Sequence, residues 1–169
     1  MSIKEDTCDP VNFQDFYYRQ ADALRNYVYY KSGDSGFADD TVQESFVRLW
    51  KNCASVPLSK AKSFLFTTAT NLFRDMLKHK KVQLKFVERK STESKVADPE
   101  FLLEEKEFKE KLDRVINSLP EPQRVAFLLN RIDKLKYREI AELLGVSQKT
   151  IEKRIHSALL VLRKEIGNI

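Results

Sequence analysis

The chain has 169 residues, 42% of them apolar, and a net charge of +5. That is apolar material for one ordinary domain or two small ones and too much for a disordered tail. Only four glycines and five prolines, beside abundant Leu, Lys, Glu and Ala, favour an all-α chain over a sheet protein.

Residues 1–10 are polar and partly acidic, with no signal-peptide or membrane-span pattern, so a cytoplasmic protein is expected. Cys8 and Cys53 are not closely spaced, and the expectation is two free thiols in a reducing compartment rather than a disulfide or metal ligands. His79 and His156 are too scattered for a metal cluster, and no cofactor is expected.

In chain order, Phe13, Phe16, Tyr17, Leu24, Tyr27 and Val28 recur at helical spacing over residues 11–30. Residues 31–37, with Gly33 and Gly36, read as a turn. Asp39 offers an N-cap to a helix striped by Val42, Phe46, Leu49 and Trp50, which Pro57 interrupts. The next helix is expected from about Ser59 to Phe86, burying Phe64, Leu65, Ala69, Leu72, Phe73, Met76 and Leu77. Residues 88–98 carry no periodic apolar face and read as a flexible linker. Asp98-Pro99 resembles an N-cap followed by proline at the first helical position, opening a helix to about Ser118. After the break at residues 119–122 comes a helix with Val125, Leu128, Leu129 and Ile132 on one face, then two more, over 137–144 and from Ser147 to about Glu165. The expected fold is therefore all-α: two small helical domains, residues 1–87 and 99–169, joined by the linker.

Charge is segregated along this plan. Residues 1–59 sum to −3, residues 60–90 to +7, residues 91–133 to −3 and residues 134–164 to +5. One basic run is usually a solvated face; two in separate segments suggest two contacts with a polyanion.

The tightest pattern is YREIAELLGVSQKTI at residues 137–151. Ala141 is small where two helices must cross, Gly145 can take the left-handed conformation that ends a helix, Val146 plugs the corner and Ser147 can cap the second helix. Ile140, Leu144, Ile151 and Ile155 supply a small core. Such a helix-turn-helix places its second helix in the major groove. Ser147, Gln148, Lys149, Thr150, Glu152, Lys153, Arg154 and His156 are its candidate DNA contacts, Lys153 and Arg154 foremost.

The rest of the chain narrows the role. Residues 39–50, DDTVQESFVRLW, resemble the polymerase-binding helix of bacterial sigma factors, and residues 64–81, FLFTTATNLFRDMLKHKK, resemble the segment after it in the extracytoplasmic-function group. Residues 119–127, LPEPQRVAF, are similar to the start of that group's second domain. The resemblance implies that Asp39, Asp40, Gln43, Glu44 and Arg48 contact core RNA polymerase. Chemistry alone would make them an ordinary solvated face, with Trp50 in the core. It further implies that the loop 51–59 captures an unstacked −10 base, with Asn52 and Ser55 as hydrogen-bonding candidates, while Lys62, Asn71, Arg74, Lys78, Lys80 and Lys81 line the DNA. Asn71 could instead be a buried structural amide. Phe64 and Thr70 depart from the group, which often has Trp and a basic residue there.

The second domain would read the −35 element. The resemblance also implies an anti-sigma factor, often membrane-bound, as a partner, beside core RNA polymerase and promoter DNA. A monomeric factor with no small-molecule substrate and no catalytic role is expected. A stand-alone helix-turn-helix regulator would need a sensor or dimerisation element where this chain carries the polymerase-binding pattern. A recombinase would need a catalytic constellation, and none is found: no paired carboxylates at metal spacing, no nucleophile with a base, no phosphate-cradling glycine loop.

Overall fold

Asp9 opens the first helix. Its carboxylate accepts from the N–H groups of Val11 and Asn12, and Pro10 occupies the first helical position, where its missing N–H costs nothing. This helix, α1, spans Pro10–Ser32 and ends on Gly33, whose φ of 68° is left-handed and whose N–H donates to the Tyr29 carbonyl. Asp34 follows at once as the next cap, accepting from Phe37 N–H, and α2 runs Ser35–Lys51. Helix α3, Leu58–His79, completes the first group; α4 (Pro99–Ser118), α5 (Glu121–Arg131), α6 (Tyr137–Leu144) and α7 (Gln148–Ile166) form the second. The structure is a computed structural model describing residues 6–79 and 99–167; no strand occurs among the described residues. The chain divides into two compact units, Met1–Gln83 and Leu84–Ile169.

In the first unit α1 and α2 form a helical hairpin about Gly33-Asp34. Phe46 on α2 meets Phe13, Phe16 and Tyr17 on α1, with ring centroids 4.7–6.3 Å apart. Helix α3 closes the bundle: Tyr27 packs on Phe66 at 5.2 Å, and Lys31 Nζ lies over the rings of both Tyr27 and Phe73. Leu24, Val28, Leu49, Leu65 and Ala69 are fully enclosed.

The cap of α2 is Asp34, because Gly33 already terminates α1 and leaves room for a two-residue turn; Asp39 sits one turn into the helix and pairs with Arg25 at 2.6 Å. Gly36 is helical. Trp50 is 44% exposed, resting against Phe13 at 4.9 Å, rather than core. Leu77 and Ile132 are also exposed, Ile132 because it is the C-cap of α5 and not part of its buried face. Cys8 and Cys53 are not free thiols but a disulfide, with Cα atoms 5.0 Å apart. Their separation of 45 residues concealed this, since the hairpin returns the end of α2 to the start of α1. In the chain-entropy model a ring of that length stabilises the fold by about 4 kcal/mol. The expected end of α3 at Phe86, the N-cap Asp98 and the linker 88–98 lie outside the described residues.

The second unit packs Val115, Ile116 and Leu119 at the end of α4 with Val125, Leu128 and Leu129 of α5, Ile140 and Ala141 of α6, and Ile151, Ile155, Ala158 and Leu162 of α7, all buried. Arg124 is the one buried charge among the described residues, 2% exposed. Its Nη1 donates to the Leu119 carbonyl at 2.9 Å, satisfying an acceptor that the proline break leaves without a helical donor. Burial pushes the guanidinium below its ordinary value, opposed by the nearby Glu121 carboxylate, and it remains cationic. Replacing Arg124 by Leu leaves that carbonyl buried without this donor. Urea unfolding should show the variant less stable by roughly 1–3 kcal/mol, and an unchanged midpoint would disprove the bracing role.

Candidate nucleic-acid interface

The turn between α6 and α7 sets the geometry of the helix-turn-helix face. Glu139 accepts from the Lys136 N–H at 2.6 Å, fixing the start of α6. Gly145 then stands at φ 66°, and Val146 N–H donates back to the Ala141 carbonyl. Ser147 Oγ accepts from Thr150 N–H at 3.1 Å and shares a second hydrogen bond with the Thr150 hydroxyl. Ile151, Ile155, Ala158 and Leu162 turn inward, so Gln148, Lys149, Glu152, Lys153 and His156 are left exposed. Arg154 is half-buried, at the flank of this face rather than at its centre. Gln148 Nε2 donates to Glu152 at 3.4 Å, and Tyr137 and Leu159 border an open hollow with Glu152, Lys153 and His156.

On α3 the buried residues Ala61, Leu65, Phe66, Thr68, Ala69 and Phe73 define one side. Asn71, Arg74 and Lys78 share the opposite, exposed side, and Lys60 and Thr67 continue the same stripe toward the N-terminus. Those last two escaped the sequence reading, although their i, i+7, i+11, i+14, i+18 spacing is a helical signal. Asn71 is exposed and is not a structural amide. Lys62 is exposed too, but at about 100° per residue it lies roughly 150° round the helix from the others. Thr70 turns inward: its hydroxyl bonds the Phe66 carbonyl and the Tyr27 hydroxyl, 2.8 and 2.9 Å away. Lys80 and Lys81 lie outside the described residues.

The loop after α2 is a tight turn. Asn52 is its first residue, donating Nδ2 to the Arg48 carbonyl at 2.8 Å, and the Ser55 hydroxyl donates to the Asn52 carbonyl at 3.0 Å. Both side chains are exposed. On the outward face of α2, Asp40, Gln43 and Glu44 are exposed around Val47, an apolar residue 45% exposed in a polar setting. Arg48 pairs with Glu44 at 2.7 Å. No helix among the described residues is long and apolar enough to cross a membrane.

Residues 16–82 match the family model of sigma-70 region 2, and residues 109–162 match that of sigma-70 region 4. The chain is 28% identical over 172 residues to the ferric citrate uptake sigma factor FecI of Escherichia coli, covering 99% of each. It is 30% identical to the extracytoplasmic-function RNA polymerase sigma factor SigW of Bacillus subtilis, over 88% of this chain and 85% of that one. The chain belongs to the extracytoplasmic-function sigma factors. Among solved structures, the sigma factor RpoE of Bartonella quintana, in complex with the anti-sigma factor NepR, shares the fold at a TM-score of 0.64 and 18% identity, over 92% of this chain and 96% of that one. As a sigma factor the protein directs transcription initiation, and the stand-alone regulator is not favoured.

The region 2 match contains the α2 face, the loop and the α3 stripe; the region 4 match contains the whole helix-turn-helix. A Cβ at Gly145 would meet nothing within 4 Å, so the cost of a side chain there is backbone strain alone. Gly145→Ala should destabilise the second unit by about 1–2 kcal/mol, and Gly145→Asn by less. Equal losses in thermal melts of the two variants would show that the left-handed turn is not the constraint.

Proposed function

We propose that this sigma factor grips its promoter at two places, each with one helix of a separate unit. The observation supporting this is that each basic block of the sequence includes an exposed helix face backed by a buried one. In the second unit, α7 reads the −35 element as duplex through Gln148, Lys149, Glu152, Lys153 and His156, with Arg154 on a flanking phosphate. Ser147 and Thr150 hold the helix N-terminus, whose free N–H groups favour a phosphate. In the first unit, Lys60, Thr67, Asn71, Arg74 and Lys78 follow the strands at the −10 element, and the loop with Asn52 and Ser55 receives an unstacked base. Flipping costs a few kcal/mol, offset by stacking and hydrogen bonds in the pocket.

Core RNA polymerase binds the outward face of α2 through Asp40, Gln43, Glu44 and Arg48, with Val47 as an apolar centre and Trp50 at its margin. Asp39, paired with Arg25, contributes by positioning that helix on α1. The division of labour follows residues 1–87 and 99–169. The factor works in the cytoplasm as a binding protein without a catalytic site. An anti-sigma partner is expected by analogy with the RpoE complex with NepR.

Mixing the purified protein with core RNA polymerase and genomic fragments should yield transcripts with defined starts. Absence of core binding, or of defined starts, would sink the reading. The double variant Lys153→Glu/Arg154→Glu should lose −35 protection in footprints while still binding the core enzyme. Val47→Glu should do the opposite, weakening core binding roughly tenfold or more by burying a charge at the interface centre. Removing Lys78 or Arg74 should flatten the salt dependence of promoter binding by about 0.7–0.9 for each phosphate no longer neutralised. An unchanged slope would argue against the α3 stripe.

A further inference from the structure

Cys8 and Cys53 take no part in the contacts assigned above, yet they bond the arm ahead of α1 to the loop after α2. A second tie lies beside the first. Thr7, 1% exposed, donates its hydroxyl to the Val56 carbonyl at 2.6 Å. The arm itself is ordered by Cys8 N–H donating to Asp6 and by Asn12 Nδ2 donating to the Asp6 carbonyl. The loop is thus fastened at both Cys53 and Val56, while its polar groups turn onto its own backbone. Asn52 Nδ2 is engaged with Arg48 and the Ser55 hydroxyl with Asn52. In this arrangement one donor of each group that would receive a flipped base is engaged with the backbone. Any rearrangement of the loop backbone that turns both groups onto a base is opposed by the covalent bond from Cys53 to the arm. Both cysteines are half-buried rather than enclosed, within reach of small oxidants and reductants. A disulfide in a protein that works on RNA polymerase inside a reducing compartment suits a transient, redox-sensing role.

We propose that Cys8 and Cys53 form a redox latch on the promoter-opening loop: the disulfide holds the loop closed and suppresses opening, and the dithiol releases it. The inference rests on the reading of residues 51–59 as the −10 loop. With hydrogen peroxide as oxidant, one cysteine sulfur attacks a peroxide oxygen, the O–O bond breaks, and a sulfenic acid forms as one water leaves. The second sulfur then displaces the sulfenic oxygen as another water, forming the S–S bond. Two thiol protons and two electrons pass to hydrogen peroxide, which ends as two waters. A small dithiol reverses the reaction by exchange and ends as its own disulfide.

The test uses the whole chain, oxidised with hydrogen peroxide or reduced with dithiothreitol, and freed of either reagent before core RNA polymerase is added. Intact mass and peptide mapping, affinity for the core enzyme, and permanganate reactivity of unpaired thymines are read in parallel. The template is a promoter mapped from the protein's own transcripts. Oxidised protein should be lighter by two hydrogens, bind the core enzyme as before, and open the promoter roughly tenfold less, because the pocket contacts that offset flipping are withheld. Dithiothreitol should restore opening, and Cys8→Ser and Cys8→Ala, both outside the loop, should open the promoter whether or not they meet peroxide. The latch is overturned if no Cys8–Cys53 peptide forms, if the oxidised protein opens the promoter as well as the reduced one, or if the Cys8 variants keep the peroxide response. Reduced protein that binds the core enzyme but opens no promoter would instead overturn the −10 loop reading, and the latch with it.

Discussion

A helix in a unit this small can bury only one of its faces, and the functional surfaces are what that burial leaves over. On α3 the enclosed positions Ala61, Leu65, Phe66, Ala69 and Phe73 determine that Lys60, Thr67, Asn71, Arg74 and Lys78 point together the other way. On α7 the same rule, applied to Ile151, Ile155, Ala158 and Leu162, exposes Lys149, Lys153 and His156 as one face. The positioning is therefore done by apolar packing, while the groups proposed as contacts remain solvated and ready to exchange water for a partner.

Polar groups inside the units keep those faces from drifting. Thr70 stands one residue from Asn71, but its hydroxyl is tied to Tyr27 and Phe66, so it fixes the roll of α3 against α1 instead of adding to the stripe. Arg124 plays a comparable part where α4 breaks into α5, holding the Leu119 carbonyl. By contrast, the ion pairs on the outward surfaces, Arg48–Glu44 and Lys78–Asp75, join exposed side chains and contribute little to stability. A partner can separate them at small cost.

What the sequence disclosed and what it concealed divide along a physical line. The limits of α6, the left-handed Gly145 and the Ser147 cap were readable because each depends on neighbours within a few residues. The start of α2 was misplaced because Asp34 and Asp39 are both good caps, and only the sharpness of the turn at Gly33 decides between them. Residue type alone points Trp50, Leu77 and Ile132 inward, but it cannot say whether a helix has a neighbour on that side, and all three are exposed. Lys62 was grouped with Arg74 and Lys78 by charge along the chain, whereas a groove contact requires a shared angle about the helix. The cysteine pair was the least readable feature, since nothing local announces that a hairpin of this length will bring its two ends together.

That pairing also has a topological side. The bond joins the beginning of α1 to the turn just beyond α2, so the covalent ring it closes contains the hairpin and leaves α3 outside. Among the described residues of the first unit, helix α3 is then the element kept in place by packing and hydrogen bonds alone, through Tyr27, Lys31 and Phe37. Partial opening of the unit acquires a direction, with α3 peeling from a hairpin that stays shut. The hairpin carrying the proposed polymerase surface thereby becomes separable from the helix carrying the basic stripe.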